Sequence, residues 1–167
     1  MESKNKSKND RIKRLMSFTG RSQWLLILAR VLSGISAVFI LVPFLCVYFA
    51  AKELVVAFTG GHMDTDRLLK YGIYALIFEL IGLLIYFVAL LCSHITAFRT
   101  EKNLKMAALK RLAKMPMGYF DTNPSGKLRK IIDDNSFQTE SYIAHQLPDL
   151  TGAYVTMAAS LVLMLIF

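Results

Sequence analysis

The chain has 167 residues, of which 54% are hydrophobic and only 19% charged, with a formal charge of +8 at pH 7. Soluble domains carry closer to a quarter of charged residues, so this balance excludes an ordinary soluble fold and points to lipid as the solvent for much of the chain. The positive charge could suggest nucleic acid, but the Lys and Arg residues flank apolar runs and belong to no base-reading module, so nucleic acid is not an expected partner.

In chain order, the first element is a basic leader, residues 1–21, beginning MESKNKSKNDRIKR and expected to be disordered at least to about Asp10. From Trp24 to Ala51 the one ionisable side chain other than tyrosine and cysteine is Arg30. That run exceeds the ~20 residues that cross a bilayer as helix. It is also about twice the ~7–15-residue core of a cleavable signal, so it reads as an uncleaved anchor. A second apolar run covers 68–98, interrupted by Lys70, Glu79 and His94. A third follows Pro148 and is still apolar at Phe167. The expected fold is therefore an all-α membrane protein with three long transmembrane helices at about 24–51, 68–98 and 148–167, and an extramembrane segment at 99–147.

Charge placement predicts orientation. The leader and the segment after the second run, with Arg99, Lys102, Lys105, Lys110, Arg111, Lys114, Lys127, Arg129 and Lys130, hold most of the basic residues. Between the first two runs Lys52, Arg67 and Lys70 are offset by Glu53, Asp64 and Asp66. The positive-inside rule then places the amino terminus and residues 99–147 in the cytoplasm and FTGGHMDTD outside, in a multi-pass protein of the plasma membrane.

Cys46 and Cys92 lie inside apolar runs without CxxC spacing or a matching His cluster, and are expected to be buried small hydrophobes. His62 and His145 read as a loop residue and a helix residue. No His, Asp and Ser set suggests catalysis, no metal site is expected, and the chain is expected to bind no cofactor itself.

No proline interrupts the chain between Pro43 and Pro116, and the residues from Asp66 to Met115 favour helix. About fifty residues at helical rise reach about 75 Å, against a hydrocarbon thickness of about 30 Å, so the second span should project far beyond the bilayer. In the projection Leu104, Ala108, Leu112 and Met115 recur at three- and four-residue steps, a stripe that requires a packed neighbour. The stretch MPMGYFDTNPSGKLRKIIDD then concentrates turn formers, with Asn123 a candidate helix cap and Pro124 suited to the first helical position. A returning helix is expected from Gly126 to about Gln146, where Pro148 should kink or redirect it. Limbs of about 25 Å and about 31 Å would make an antiparallel hairpin with a polar tip. SGKL is not a phosphate-binding loop, because Asp121 and Leu128 stand where that motif needs Gly and Ser or Thr.

Met115-Pro116, Gly118, Phe120-Asp121, Gly126-Lys127-Leu128-Arg129 and Asp133-Asp134, with a proline entering the next span, resemble the first cytoplasmic loop of ABC transporters with the exporter-type transmembrane fold. The topology resembles that family from about Trp24 onward; the specific likeness lies at about Pro116 to Asp134. The resemblance implies the first half of a six-helix transmembrane domain, on the siderophore or multidrug-related branch. It also implies a coupling tip on a nucleotide-binding domain, built from Tyr119, Phe120, Asp121, Thr122, Asn123, Pro124, Ser125, Gly126 and Leu128. In that reading Phe120 is an apolar plug, Asp121 and Asn123 are polar contacts, Gly126 allows a tight turn and Leu128 packs on the neighbouring limb. The bland alternative is that the same residues only make a stable turn. ATP and Mg would be bound by the nucleotide-binding domain of the complete transporter, which would pair with a second transmembrane domain, identical or not. Because the family has six spans and this chain reaches three, it resembles an amino-terminal portion; a self-contained small membrane protein that binds or regulates another transporter, or a non-functional truncation, is the alternative.

Glu79 and Arg30 are the candidates for a substrate path, since ionisable groups inside spans usually serve function. Glu79 is expected near mid-membrane, facing the interior with a partner on one of the helices that the six-span family has beyond these three, whereas Arg30 sits at a depth that disfavours pairing with Glu79 and suits an interfacial snorkelling role.

Overall fold

The computed structural model describes residues 16–60 and 64–166, apart from the side chain of Arg21. The disorder expected in the leader and the placement of His62 lie outside the described residues. Helix α1 spans Gln23–Phe58, α2 Thr65–Leu112, α3 Gly118–Thr122, α4 Ser125–Ser141 and α5 Leu147–Ile166. A 3-10 turn at Gly20–Ser22 precedes α1, and a π-helical turn at Tyr142–Gln146 joins α4 to α5. Gln23–Phe58, Thr65–Leu112 and Ser125–Ile166 are long and apolar enough to cross a membrane, as the three apolar runs predict. The protein is an all-α, multi-pass membrane protein.

Local signals set the helix ends. Gly20, at φ +56°, turns the chain into α1 where a side chain would be strained. Gly60, at φ +88°, follows the end of the same helix and donates its N–H to the Ala57 carbonyl at 3.3 Å. Asp64 caps α2 by accepting the Arg67 N–H at 3.2 Å, and Arg67 also pairs with Asp64 at 3.0 Å and Glu53 at 3.6 Å.

The chain forms two compact units. One takes the chain up to Leu28 with Leu90–Leu147; the other takes Ala29–Ala89 with the chain from Pro148 onward. In the first, Leu26, Ala97, Ile143 and Ala144 are buried together, with Met16, Tyr142 and Leu147 against them. Polar side chains join the helical residues 16–22 before α1 to α2: Thr100 Oγ1 to Thr19 Oγ1 at 3.2 Å, Arg99 Nη1 to Ser22 Oγ at 3.1 Å and Asn103 Nδ2 to the Phe18 carbonyl at 2.8 Å. The second unit packs through small residues, which let backbones approach where lipid offers no hydrophobic drive. Ser36 donates to the Gly82 carbonyl at 2.9 Å, and a Cβ on Gly82 would stand 3.0 Å from Ile40 Cγ1. Ser33 donates to the Pro148 carbonyl at 2.8 Å beside Gly152, whose missing Cβ would lie 3.1 Å from Ser33 Oγ. Cys46 is buried and both cysteines are free. Large side chains such as Leu76, Leu83, Leu84 and Phe87 stay exposed along α2, a surface suited to acyl chains or other helices.

Where a kink or a redirection was expected, helical backbone runs through Pro148, the second residue of α5. The preceding π turn explains this. Leu147 gives its N–H to Tyr142 rather than to Ile143, and Pro148 has no N–H for Ala144, so two successive carbonyls lose their helical donors. The single hydroxyl hydrogen of Ser93 on α2 is shared between the two, with Oγ 2.7 Å from the Ile143 carbonyl and 2.9 Å from that of Ala144, at a fully buried position. A proline near the start of α5 is tolerated because its missing bond is replaced from another helix.

Replacing Ser93 with Ala should lower unfolding free energy by about 1 kcal/mol, the size of an interhelical hydrogen bond in a membrane protein. Pro148→Ala returns an N–H toward Ala144, so denaturant unfolding in detergent should show the double variant losing less than the sum of the two single losses. Strict additivity would mean that the Ser93 hydroxyl does not compensate for the proline.

Candidate functional site

The hairpin tip is built by two local stops. Pro116 restricts Met115 away from the helical region, so α2 ends at Leu112, three residues before the expected end of the limb. The N–H groups of Lys114 and Met115 close the turn on Arg111 and Leu112, and Met115, expected on the packed stripe, is exposed. Tyr119, Phe120, Asp121 and Thr122 lie on α3, a five-residue helix.

Asn123 closes α3 instead of capping the next helix. Its backbone N–H reaches the Tyr119 carbonyl at 3.1 Å, and its side-chain amide donates to that carbonyl at 3.2 Å and to Thr122 Oγ1 at 3.1 Å. Thr122 Oγ1 also donates to the Tyr119 carbonyl, at 3.2 Å. Pro124 stands at the N-cap of α4, one position before the expected place, and its carbonyl accepts from Lys127 and Leu128. Gly126, expected to permit a tight turn, is an ordinary helical residue of α4: its φ is not positive and an added Cβ would meet nothing within 4 Å. The turn is made instead by Asn123, at φ −126° and ψ 87°, and by Pro124, at ψ 135°.

The limbs enclose a groove of about 440 Å³ whose apolar lining comes from Leu109, Leu112, Phe120, Leu128 and Ile132. Leu128 lines the same groove as Leu109 and Leu112 of the other limb. Phe120 is half-buried on the inner side of its own hairpin, while Asp121, Thr122, Pro124 and Ser125 are exposed. Lys105 ties the limbs together, with Nζ 2.9 Å from Glu101 and 3.3 Å from Asp133, and Arg129 lies 3.6 Å from the same Asp133. Hydrogen bonds to Glu101 first and Asp133 second hold the Lys105 ammonium above its usual range.

Among the ionisable span residues, Glu79 is exposed. Arg30 donates from Nε to Thr151 Oγ1 on α5 at 3.1 Å, so its partner is a hydroxyl of the third span and no Arg30–Glu79 pair forms. The sequence reading overlooked two groups. Tyr86 donates to Asp149 Oδ1 at 2.9 Å; the signal was an acid directly after the proline that opens the third span. His94 lies 3.9 Å from Glu140 and edge-on to His145 with ring centroids 4.8 Å apart, an arrangement that depends on the π turn and has no sequence signature.

Gly126→Ala should leave stability unchanged or raise it by about 0.5 kcal/mol, because a helical glycine costs backbone entropy. Gly82→Ala should cost about 1 kcal/mol or more through overpacking against Ile40, and parallel thermal unfolding of the two variants checks the contrast. The Lys105 bridge has a defined pH window. A raised lysine pKa stabilises fully below the unfolded value of 10.5 and is lost as pH rises through the higher folded value. Limb-to-limb distance by paired spin labels should therefore stay constant from about pH 7 to 9 and lengthen only in stronger alkali; Lys105→Met should abolish the alkaline step.

The model of the ABC transporter transmembrane region matches residues 24–167. The chain is 26% identical over 137 residues to the mycobactin import ATP-binding/permease protein IrtA of Mycolicibacterium smegmatis, covering 82% of this chain and 15% of that protein. The protein of the same description from Mycobacterium tuberculosis is 27% identical over 137 residues, with the same coverage of 82% and 15%. The chain therefore spans about 15% of the length of these relatives. No solved structure matches it. With the family model covering the three spans and the hairpin between them, the chain belongs to the ABC transporter transmembrane region family.

Proposed function

We propose that this chain forms part of the substrate pathway of an ATP-driven transporter and carries, at Tyr119 to Ser125, the tip that couples it to a nucleotide-binding domain. The observation that carries the reading is the construction of that tip. A five-residue helix is closed by three donors on the Tyr119 carbonyl and presents exposed Asp121 and Thr122 on two long helical limbs. Such an element moves as a body rather than yielding as a loop, which transmission of force requires. Phe120, half-buried and lining the groove between the limbs, serves from within the hairpin rather than as a plug in a partner's surface. Asn123 likewise holds the shape of the tip, which leaves Asp121, Thr122 and Ser125 for the partner.

The basic residues around the hairpin support a cytoplasmic orientation for it and for the amino terminus, in the plasma membrane. The partners are then a nucleotide-binding domain, which holds ATP and Mg, and a second transmembrane domain, identical or different. Glu79, exposed on the second span, faces the pathway or a helix from outside the described residues. The relatives' description as mycobactin importers supports a cargo of the siderophore class.

In the complete transporter, Asp121→Lys with Thr122→Lys should reduce transport at least tenfold and abolish cargo-stimulated ATP hydrolysis while leaving nucleotide binding unchanged. Transport in reconstituted vesicles at the unaltered rate would exclude the tip as a coupling element.

A further inference from the structure

Where α1, α2 and α5 meet within the second unit lies an open groove of about 220 Å³ that the coupling function does not use. The polar side chains that line it all end in oxygen, the hydroxyls of Ser33, Ser36, Tyr86 and Thr156 and the carboxylate of Asp149, beside Ala37, Ile40 and Gly152. No Lys, Arg or His contributes to it.

The hydrogen bonds decide what such a lining can accept. Ser33 gives its proton to the Pro148 carbonyl at 2.8 Å, Ser36 gives its proton to the Gly82 carbonyl at 2.9 Å, and Tyr86 gives its proton to Asp149 Oδ1 at 2.9 Å. A hydroxyl has one hydrogen and two lone pairs, so with the hydrogen committed each of these oxygens can only accept. Asp149 adds a carboxylate with capacity beyond the single tyrosine bond. Arg30, the basic residue of α1 in this region, is directed to Thr151 instead. The groove therefore presents lone pairs and negative charge, with Thr156 the one hydroxyl in it not committed by a hydrogen bond.

We propose that this groove binds a small monovalent cation, an alkali ion or a primary ammonium group, through the Asp149 carboxylate and the oxygens of Tyr86, Ser33 and Ser36. Hard cations take oxygen ligands, and a single carboxylate matches one positive charge better than the multi-carboxylate cages of divalent ions. An anion would find acceptors where it needs donors. At about 30 Å³ of liquid volume per water, the space suits an ion with part of its hydration shell or an ammonium head on a narrow stem. The inference uses the spans alone and stands apart from the coupling tip.

The test uses the chain in lipid nanodiscs, with any domains that co-purify, and follows its unfolding midpoint at constant ionic strength. Sodium, potassium and methylammonium chlorides are each titrated against choline chloride, whose head is too bulky to approach the carboxylate in the same way. A saturable rise on the order of 3 °C at tenfold excess over the half-saturating concentration is expected for at least one of the three and not for choline. Asp149→Asn, which keeps the shape, should remove the rise, and Tyr86→Phe should weaken the apparent affinity several-fold. A response to sodium or potassium alone identifies an alkali-ion site; a response to methylammonium alone identifies an amine site; both responses identify a shared cation site. Equal midpoints in all four salts, or an undiminished rise in Asp149→Asn, overturns the proposal. Should Asp149→Asn fail to fold, Tyr86→Phe decides it, measured with whichever cation raised the midpoint of the unaltered chain: an apparent affinity unchanged by loss of that hydroxyl counts against the site.

Discussion

Every backbone carbonyl in a membrane span needs a donor, and few are available beyond the helix itself. That constraint is sharpest at Pro148. A proline entering the third span and a π turn before it leave the Ile143 and Ala144 carbonyls without their usual partners, and one buried serine on α2 serves both. Because the donor sits on a different helix, the continuity of α4 into α5 depends on α2 lying within hydrogen-bond reach. Secondary and tertiary structure are thus one condition at this point rather than two successive ones.

The same economy of polar contacts recurs among the other span residues. Ser33 and Ser36 reach carbonyls of neighbouring helices because Gly152 and Gly82 leave room for close approach. Small residues bring the backbones near, and hydroxyls then find acceptors that larger side chains would hold out of range. A consequence is that the hydroxyl hydrogens of Ser33 and Ser36 are consumed inside the protein, which leaves oxygen lone pairs in the space beside them, whereas the space between Val38–Leu45 and Val155–Leu163 is lined by apolar side chains alone.

Outside the spans the physics changes. Between the hairpin limbs Leu109, Leu112, Phe120, Leu128 and Ile132 share one apolar groove, with Lys105 bridging Glu101 and Asp133. At the tip, where too few residues remain to bury a core, hydrogen bonds to a single carbonyl of Tyr119 set the conformation. Stiffness there comes from local polar geometry, and it leaves Asp121 and Thr122 on the surface.

The three apolar runs, their lengths, the long reach of the second helix and the turn-forming tip were all legible in the sequence, because span length and proline or glycine punctuation act over a few residues. Leu128 was legible as a packing residue for the same reason: periodicity alone puts it on the stripe. The inward direction of Phe120, the part played by Asn123 in closing α3 and the ordinary helical state of Gly126 were not, since each depends on which neighbour a side chain meets. The partner of Arg30 was equally hidden, being a hydroxyl 121 positions away along the chain. Composition and periodicity determined that this protein crosses a membrane and where it turns; only tertiary structure decided that Pro148 stays within a helix, that Tyr86 meets Asp149, and that Ser93 serves two carbonyls, because hydrogen bonds between helices depend on register and approach distance, which no single segment encodes.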